Sequence, residues 1–309
     1  MKYFVTGGAG WVGSNLVDRL VKMGDVTVYD NLSTGKIEYI EQHLKLKNFS
    51  FQQADLLDLN TLFEAVKGHD IVFHISACND IAGGLSQTDL DLKQGTIATY
   101  NVLESMRKNN ISKIVYSSSA TVYGIATVFP TPEDYGPFFP QSLYGAAKLA
   151  CEGLISAYSN LYDMQAWIFR FGNVSGRHAT HGVIYDFINK LKKNPNELEI
   201  LGDGTQKRPY FLVQDCIDGI IFGLQKATDQ LNYFNLGVSS VTDVTSVADI
   251  VVEEMGLKDV KYKYSGTRLG FPGDIPYVSL SVEKMARLGW KARYYSDDAV
   301  RQAIRDMLN

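Results

Sequence analysis

The chain has 309 residues, of which 45% are hydrophobic and 21% charged, and its formal net charge is −4. That is ordinary globular composition, with length enough for one large domain and a smaller companion. The scattered, mildly acidic charge excludes a nucleic-acid footprint and a polybasic membrane patch, so an anionic substrate has to be held by local groups.

The start, Met1-Lys2-Tyr3-Phe4-Val5-Thr6, is one short apolar run that leads into glycines, without a signal peptide. No apolar stretch approaches the roughly 20 residues a membrane span needs. Cys78, Cys151 and Cys216 are far apart and form no C-x-x-C pair, which reads as reduced thiols in a cytoplasmic protein. Continuous apolar runs at 2–6, 26–29, 49–53, 71–74, 114–118 and 167–171 read as strands buried on both faces. Helical stretches at 12–23, 59–66, 96–109 and 143–161 alternate with them. The alternation implies parallel pairing with right-handed crossovers, hence an α/β fold with a Rossmann-like doubly wound sheet.

After about residue 173 the pattern loosens into short pieces rich in Gly, Asn and Asp. Helices are expected at 215–225, 244–255, 282–288 and 296–307. Ser296 suits the N-cap of the last, with Asp297 and Asp298 at its positive end. The expected division is a nucleotide-binding domain over 1–173, to which 208–236 returns. A smaller α/β substrate domain covers 174–207 and 237–309.

Thr6-Gly7-Gly8-Ala9-Gly10-Trp11-Val12-Gly13 follows the first strand and opens the first helix. It satisfies G-x-G-x-x-G and G-x-x-G-x-x-G together. Glycine is needed for the tight turn, for close approach to a pyrophosphate and for helix–strand packing. The helix start then offers amides and a positive dipole end to the phosphates. Asp30 ends the second strand, about 20 residues further on, where ribose hydroxyls are read; a carboxylate there favours NAD over NADP. Asp55, after the third strand, is placed to accept from the adenine amino group.

The fifth strand ends in Ser117-Ser118-Ser119-Ala120-Thr121, and Tyr144-Gly145-Ala146-Ala147-Lys148 follows at a helix start. Tyr144 and Lys148 are four apart and share a helical face. An adjacent ammonium favours the phenolate, so Tyr144 can accept a proton from a substrate hydroxyl while Ser119 bonds the developing carbonyl.

With these motifs the chain resembles the extended short-chain dehydrogenase/reductase family, and within it the sugar-nucleotide 4-epimerases that act on UDP-glucose. The matching runs are residues 6–13, 30–35, 55–56, 72–77, 117–124, 144–148, 170–176 and 202–208. The resemblance implies a catalytic trio of Ser119, Tyr144 and Lys148. It implies bound NAD contacted by Gly7, Gly10, Trp11, Val12, Gly13, Asp30, Asn31, Ser33, Thr34, Gly35, Asp55 and Leu56. Ile75, Ser76, Ala77, Ser117, Tyr144 and Lys148 complete that set. The substrate falls to Ser119, Tyr144, Asn173, Val183, Arg208, Arg268 and Val278. A homodimer through helices near 95–110 and 142–161 is also implied, and no metal.

Ser119-Ala120-Thr121 lacks the carboxylates that relatives catalysing dehydration or decarboxylation carry there. What remains is oxidation at C4, rotation of the 4-keto sugar and re-reduction, with no net redox change. UDP-glucose and UDP-galactose are the expected substrates; an epimerase of UDP-N-acetylglucosamine or UDP-glucuronate, or a reductase, is the alternative. Four positions depart from the family pattern. Gly95 stands for an Asn, Asp80 for a Lys, and Phe271 for a phosphate-binding Arg, with Arg268 nearby. Val278 is small where a bulky aromatic restricts the sugar pocket.

Overall fold

The computed structural model describes residues 1–77, 86–266, 269–270 and 273–308. The first half runs β1 (Lys2–Thr6), α1 (Trp11–Leu20), β2 (Asp25–Asp30), β3 (Phe49–Gln53), α2 (Leu59–Ala65) and β4 (Ile71–His74). It continues with a π-helical turn (Leu92–Ile97), α3 (Ala98–Lys108), β5 (Lys113–Ser119), α4 (Leu143–Tyr162) and β6 (Gln165–Phe171). Then come β7 (Asn173–Ser175), α5 (Val183–Lys193), β8 (Glu197–Ile200), β9 (Lys207–Arg208), β10 (Tyr210–Leu212) and α6 (Val213–Lys226). The last elements are β11 (Leu231–Leu236), β12 (Thr242–Asp243), α7 (Val244–Glu254), β13 (Lys261–Tyr264), α8 (Glu283–Leu288) and α9 (Ser296–Leu308).

Every strand expected in the first half is present within two residues, because strands buried on both faces announce themselves by continuous apolar runs. They form a seven-stranded sheet in the order β11-β6-β5-β4-β1-β2-β3. The pairings of β1 with β2 and β4, of β2 with β3 and of β4 with β5 are parallel. The order reverses between β1 and β4, and at such a switch point the carboxyl ends of the strands leave a crevice. Thr6 at the end of β1 sits between Tyr29 and His74, so the glycine turn opens at that switch. Phe4, Leu62, Leu103, Met106, Ile155 and neighbours from α2, α3 and α4 make an apolar core. Each such side chain contributes about 1.5–3 kcal/mol of burial.

The chain divides into two compact units. One comprises Met1–Val122, Ser142–Arg170 and Ile220–Phe234; the other comprises Tyr123–Gln141, Phe171–Gly219 and Asn235–Asn309. Compared with the expected domains, 123–141, 171–173, 208–219 and 235–236 are counted with the second unit. The first of these shifts has a visible cause. Thr131 N bonds Ser279 O at 2.8 Å, and Glu133 accepts from Asn235 N at 3.0 Å. The second unit's own core joins Phe187, Leu191, Leu198, Leu212, Val251, Val300 and Ile304.

Ser296 differs from its expected role. It is the first residue of α9 and is fully buried, and Tyr295 O accepts the first helical bond from Ala299 N. The Ser296 hydroxyl instead accepts from Tyr210 N at 3.1 Å and meets Thr242 Oγ1 at 2.6 Å. Cys151 and Cys216 are buried thiols, and Cys78 lies outside the described residues. No described helix is long and apolar enough to cross a membrane.

Candidate active site

The glycine turn is imposed by sterics. Gly7 has φ +69°, and a Cβ there would stand 2.6 Å from Ser76 Cα. A Cβ at Gly13 would stand 2.0 Å from Gly7 O, and one at Gly8 2.7 Å from Val28 Cγ1. Gly10 N donates to Gly7 O at 3.1 Å, and no side chain caps α1 at Gly10. The first turn of α1, from Trp11 to Gly13, therefore presents the positive end of the helix without a side-chain cap at Gly10.

The loop after β2 lies flat on this turn. Ala9 N donates to Asp30 Oδ2 at 3.0 Å, Leu32 N to Asp30 Oδ1 at 2.8 Å, and Lys36 N to Ala9 O at 2.9 Å. A Cβ at Gly35 would reach Asp30 Oδ1 at 3.0 Å. Burial pushes the Asp30 carboxyl up, and the two backbone amides pull it back. Asn31 Nδ2 donates to Asp55 Oδ2 at 2.8 Å and Asn31 Oδ1 accepts from Ser33 N at 3.0 Å; Ser33 and Thr34 are exposed. Asn101 Nδ2 fixes Leu56 through its carbonyl at 2.9 Å. These residues fit a dinucleotide. Each Asp30 oxygen keeps a second lone pair for a ribose hydroxyl, a 2′-phosphate would meet that carboxylate, and the glycine cradle has no room for a Cβ.

Tyr144 and Lys148 of α4 line one small pocket, together with Ser76, Ala77, Asp91, Gly95, Thr99, Tyr116, Ala147 and Cys151. Ser142 caps α4 by accepting from Gly145 N at 3.1 Å, which fixes the turn that carries Tyr144. Lys148 is buried; its Nζ donates to Ser117 O at 2.5 Å and stands 5.8 Å from the Tyr144 ring centroid and 4.7 Å from that of Tyr116. Burial lowers its pKa to about 8. Ser119 ends β5, two residues beyond the carbonyl that holds Lys148. Its Oγ accepts from Thr121 N at 3.2 Å and from Thr121 Oγ1 at 3.0 Å, so its own O–H is the group left to donate. Ile75 N bonds Thr6 O at 3.2 Å, and Ser76 abuts Gly7, so the glycine turn and the pocket share a wall.

Residues outside the motifs support this pocket. His74 is buried between Thr6 Oγ1 at 2.7 Å and Thr99 Oγ1 at 2.9 Å, and burial pushes its pKa down to about 3, with the Lys148 charge acting in the same direction. Thr99 Oγ1 also bonds Gly95 O at 2.8 Å. Glu152, one turn beyond Lys148, accepts from Ser118 Oγ at 2.5 Å and from Arg170 Nη2 at 2.7 Å, which ties α4 to the ends of β5 and β6. Gly95 lies in the π-helical turn, where a Cβ would stand 3.1 Å from Ala147 Cβ.

In the second unit Arg208 and Asp274 form an ion pair at 2.6 Å between side chains only 12% and 9% exposed. Asn173 N bonds Pro209 O at 3.1 Å, and Val278 N bonds Lys207 O at 3.1 Å, so both lie beside the Arg208 strand. Val183 is the first residue of α5 and half-buried. His178 accepts from Arg177 Nε at 3.1 Å in a loop where His181 is exposed. Arg268, Phe271 and Asp80 lie outside the described residues.

Among known proteins, residues 3–237 match the NAD dependent epimerase/dehydratase family. Over 278 residues the chain is 31% identical to the UDP-glucose 4-epimerase of Mycolicibacterium smegmatis, covering 87% of each protein. It is similar to the crystal structure of a UDP-galactose 4-epimerase, with a TM-score of 0.88, 35% identity, and 100% and 99% of the two chains covered. A UDP-N-acetylglucosamine 4-epimerase from Methanobrevibacter ruminantium M1, in complex with UDP-N-acetylmuramic acid, is 25% identical with a TM-score of 0.88, covering 99% and 98%.

Proposed function

The chain belongs to the NAD dependent epimerase/dehydratase family, and from this we propose that it interconverts the C4 epimers of a nucleotide sugar, with UDP-glucose and UDP-galactose as its substrates. The first unit binds NAD. Gly7, Gly10, Trp11, Val12 and Gly13 hold the pyrophosphate, and Asp30, Asn31, Ser33, Thr34 and Gly35 surround the adenosine ribose. Asp55 and Leu56 flank the adenine; Ile75, Ser76, Ala77, Ser117 and Lys148 line the nicotinamide side. When bound, NAD supplies the reversible two-electron oxidation at the sugar C4.

Tyr144 takes the proton of the C4 hydroxyl as that carbon is oxidised, and returns it after the 4-keto sugar has turned over. A phenol of ordinary pKa near 10 is a poor base at neutral pH, and the Lys148 ammonium beside it favours the phenolate. Ser119 donates its O–H to the sugar oxygen, because both acceptor directions of its Oγ are engaged by Thr121. The observation that carries this reading is the Tyr144–Lys148 pair in one pocket beside a strand end with hydroxyls and no carboxylate at 119–121. Elimination of water needs an acid and a base there; transfer and return of one proton does not.

The second unit binds the nucleotide diphosphate through Asn173, Val183 and Arg208, with Arg268 as the second cation. Arg208 spends part of its fork on Asp274 and keeps N–H groups for phosphate oxygens. A second reading is favoured by Val278, whose small side chain leaves room for an N-acetyl or carboxylate substituent on the sugar. The enzyme works in the cytoplasm as a homodimer through α3 and α4, where Tyr100, Leu161 and Tyr162 are exposed.

Purified protein is incubated with UDP-glucose, UDP-N-acetylglucosamine and UDP-glucuronate without added NAD, and the sugars are followed by NMR. A 4-epimer is expected, fastest from UDP-glucose, and lost by at least about a thousandfold in Tyr144→Phe, since the proton acceptor is removed. Conversion that survives Tyr144→Phe sinks the mechanism; preference for an N-acetylated or uronate sugar selects the second reading.

A further inference from the structure

We propose that His74 is a positioning residue for the cofactor: held as its Nε2–H tautomer, it ties Ser76 to Gly95 through two threonines and so fixes the wall against which NAD binds. This rests on the reading of the first unit as the NAD site given above.

The donors and acceptors settle the tautomer. Thr99 Oγ1 has one hydrogen, and it goes to Gly95 O at 2.8 Å. Its contact with His74 Nε2 at 2.9 Å therefore needs an N–H on the ring, and its contact with Cys151 Sγ at 3.1 Å needs the thiol hydrogen. These two donors fill the two acceptor directions of the hydroxyl. Burial keeps the imidazole neutral, so Nδ1 is bare and accepts from Thr6 Oγ1 at 2.7 Å. Thr6 Oγ1 in turn accepts a long bond from Ser76 N at 3.4 Å. The hydrogens thus point one way along the whole chain, from Ser76 through Thr6, His74 and Thr99 to Gly95. Thr6, His74 and Thr99 are each at most 1% exposed, so water cannot stand in for a lost link.

Both ends of the chain are pocket wall. Ser76, Gly95 and Thr99 line the pocket that holds Tyr144 and Lys148. Ser76 also abuts the glycine turn, where a Cβ at Gly7 would stand 2.6 Å from its Cα. Gly95 lies in the π-helical turn, whose carbonyls leave the regular helical ladder, and the Thr99 hydroxyl answers one of them. That turn packs on α4, with a Cβ at Gly95 standing 3.1 Å from Ala147 Cβ. The imidazole ring lies on Tyr116 with centroids 5.6 Å apart, and Lys148 Nζ stands 4.7 Å from the same Tyr116 ring. A wall held in this way is ordered before the cofactor arrives. With the chain cut at either threonine, NAD has to order it on binding, and affinity is lost.

The test begins with NMR of the nitrogen-labelled holoenzyme, in which the His74 signals are identified by their loss in His74→Gln. A protonated Nε2 and a bare Nδ1 are expected at neutral pH. NAD binding is then measured by calorimetry on Thr6→Val and Thr99→Val, each of which cuts the chain at one point. Each should weaken NAD by about tenfold. The double variant should be weakened little further, where independent sites would give about a hundredfold. Thr99→Ser, which keeps the hydroxyl, should restore both the affinity and the ring signals. If Val at 99 prevents folding, Thr99→Ala carries the same expectation. An Nδ1–H tautomer or an imidazolium at neutral pH overturns the proposal. So does an NAD affinity that is unmoved in the folded single variants, even where their urea midpoints fall, and so does an additive double variant. If the wild-type enzyme binds NAD but converts no nucleotide sugar, the reading as an epimerase fails, while the ring signals and the NAD affinities still decide the role of His74.

Discussion

Replacing Glu152 by Gln removes one charge from a pair that holds three structural elements. The carboxylate accepts from Arg170 Nη2 at 2.7 Å and from Arg170 Nε at 3.0 Å and 3.2 Å, and from Ser118 Oγ at 2.5 Å. The two side chains are only 9% and 6% exposed, so water cannot replace the lost charge. A buried pair broken on one side costs about 3–5 kcal/mol, because the remaining ion is left in a medium that solvates it poorly. Arg170 also lies 5.8 Å from the Tyr233 ring, a contact that survives and places the loss at the lower end, near 3 kcal/mol. Against a total stability on the order of 5–15 kcal/mol, that is a large share. Urea titration followed by circular dichroism should show it as a lower midpoint at unchanged slope. Glu152→Met with Arg170→Met should recover much of the loss, since an apolar pair carries no desolvation cost. kcat should fall as well, because Ser118 precedes Ser119 and Glu152 follows Lys148 by one turn. A single-variant loss under about 1 kcal/mol, as for an exposed pair, would refute the reasoning, as would a double variant no more stable than the sum of its parts.

Acid should destabilise the protein through His74. Its folded-state pKa of about 3 lies below the ordinary 6.5, so between these values the unfolded chain binds a proton that the folded chain refuses. Stability contributed by neutral His74 is full above 6.5 and falls with pH, by roughly 3 kcal/mol near pH 4; urea melts of wild type and His74→Asn should diverge by that amount, and equal losses in both would count against it. Gly13→Ala forces a Cβ within 2.0 Å of Gly7 O and should weaken NAD binding by about ten- to a hundredfold, read by calorimetry. Gly153→Ala, in α4 with nothing within 4 Å, should leave binding intact and add about 0.5–1 kcal/mol of stability.

The parallel sheet, the glycine turn and the Tyr144–Lys148 face are legible in one dimension. All three are local: apolar runs report burial on both faces of a strand, and a helix places residues four apart on one side. Asp30 was legible for the same reason, as the end of the second strand. Pairings across long stretches of chain emerge only in the folded molecule. Asp274 reaches Arg208 over 66 residues, and His74 reaches Thr6 over 68. Glu152 and Arg170, one on a helix and one on a strand, share no local periodicity that links them. Ser296 carried a sound capping signal, yet its hydroxyl serves Tyr210 N, because a buried amide of the adjoining strand has no water to turn to. Residues 123–141 joined the second unit through bonds to Ser279 and Asn235. Gly95 meets Ala147 through a π-helical turn packed on the next helix, a three-dimensional fit that no spacing in one dimension encodes.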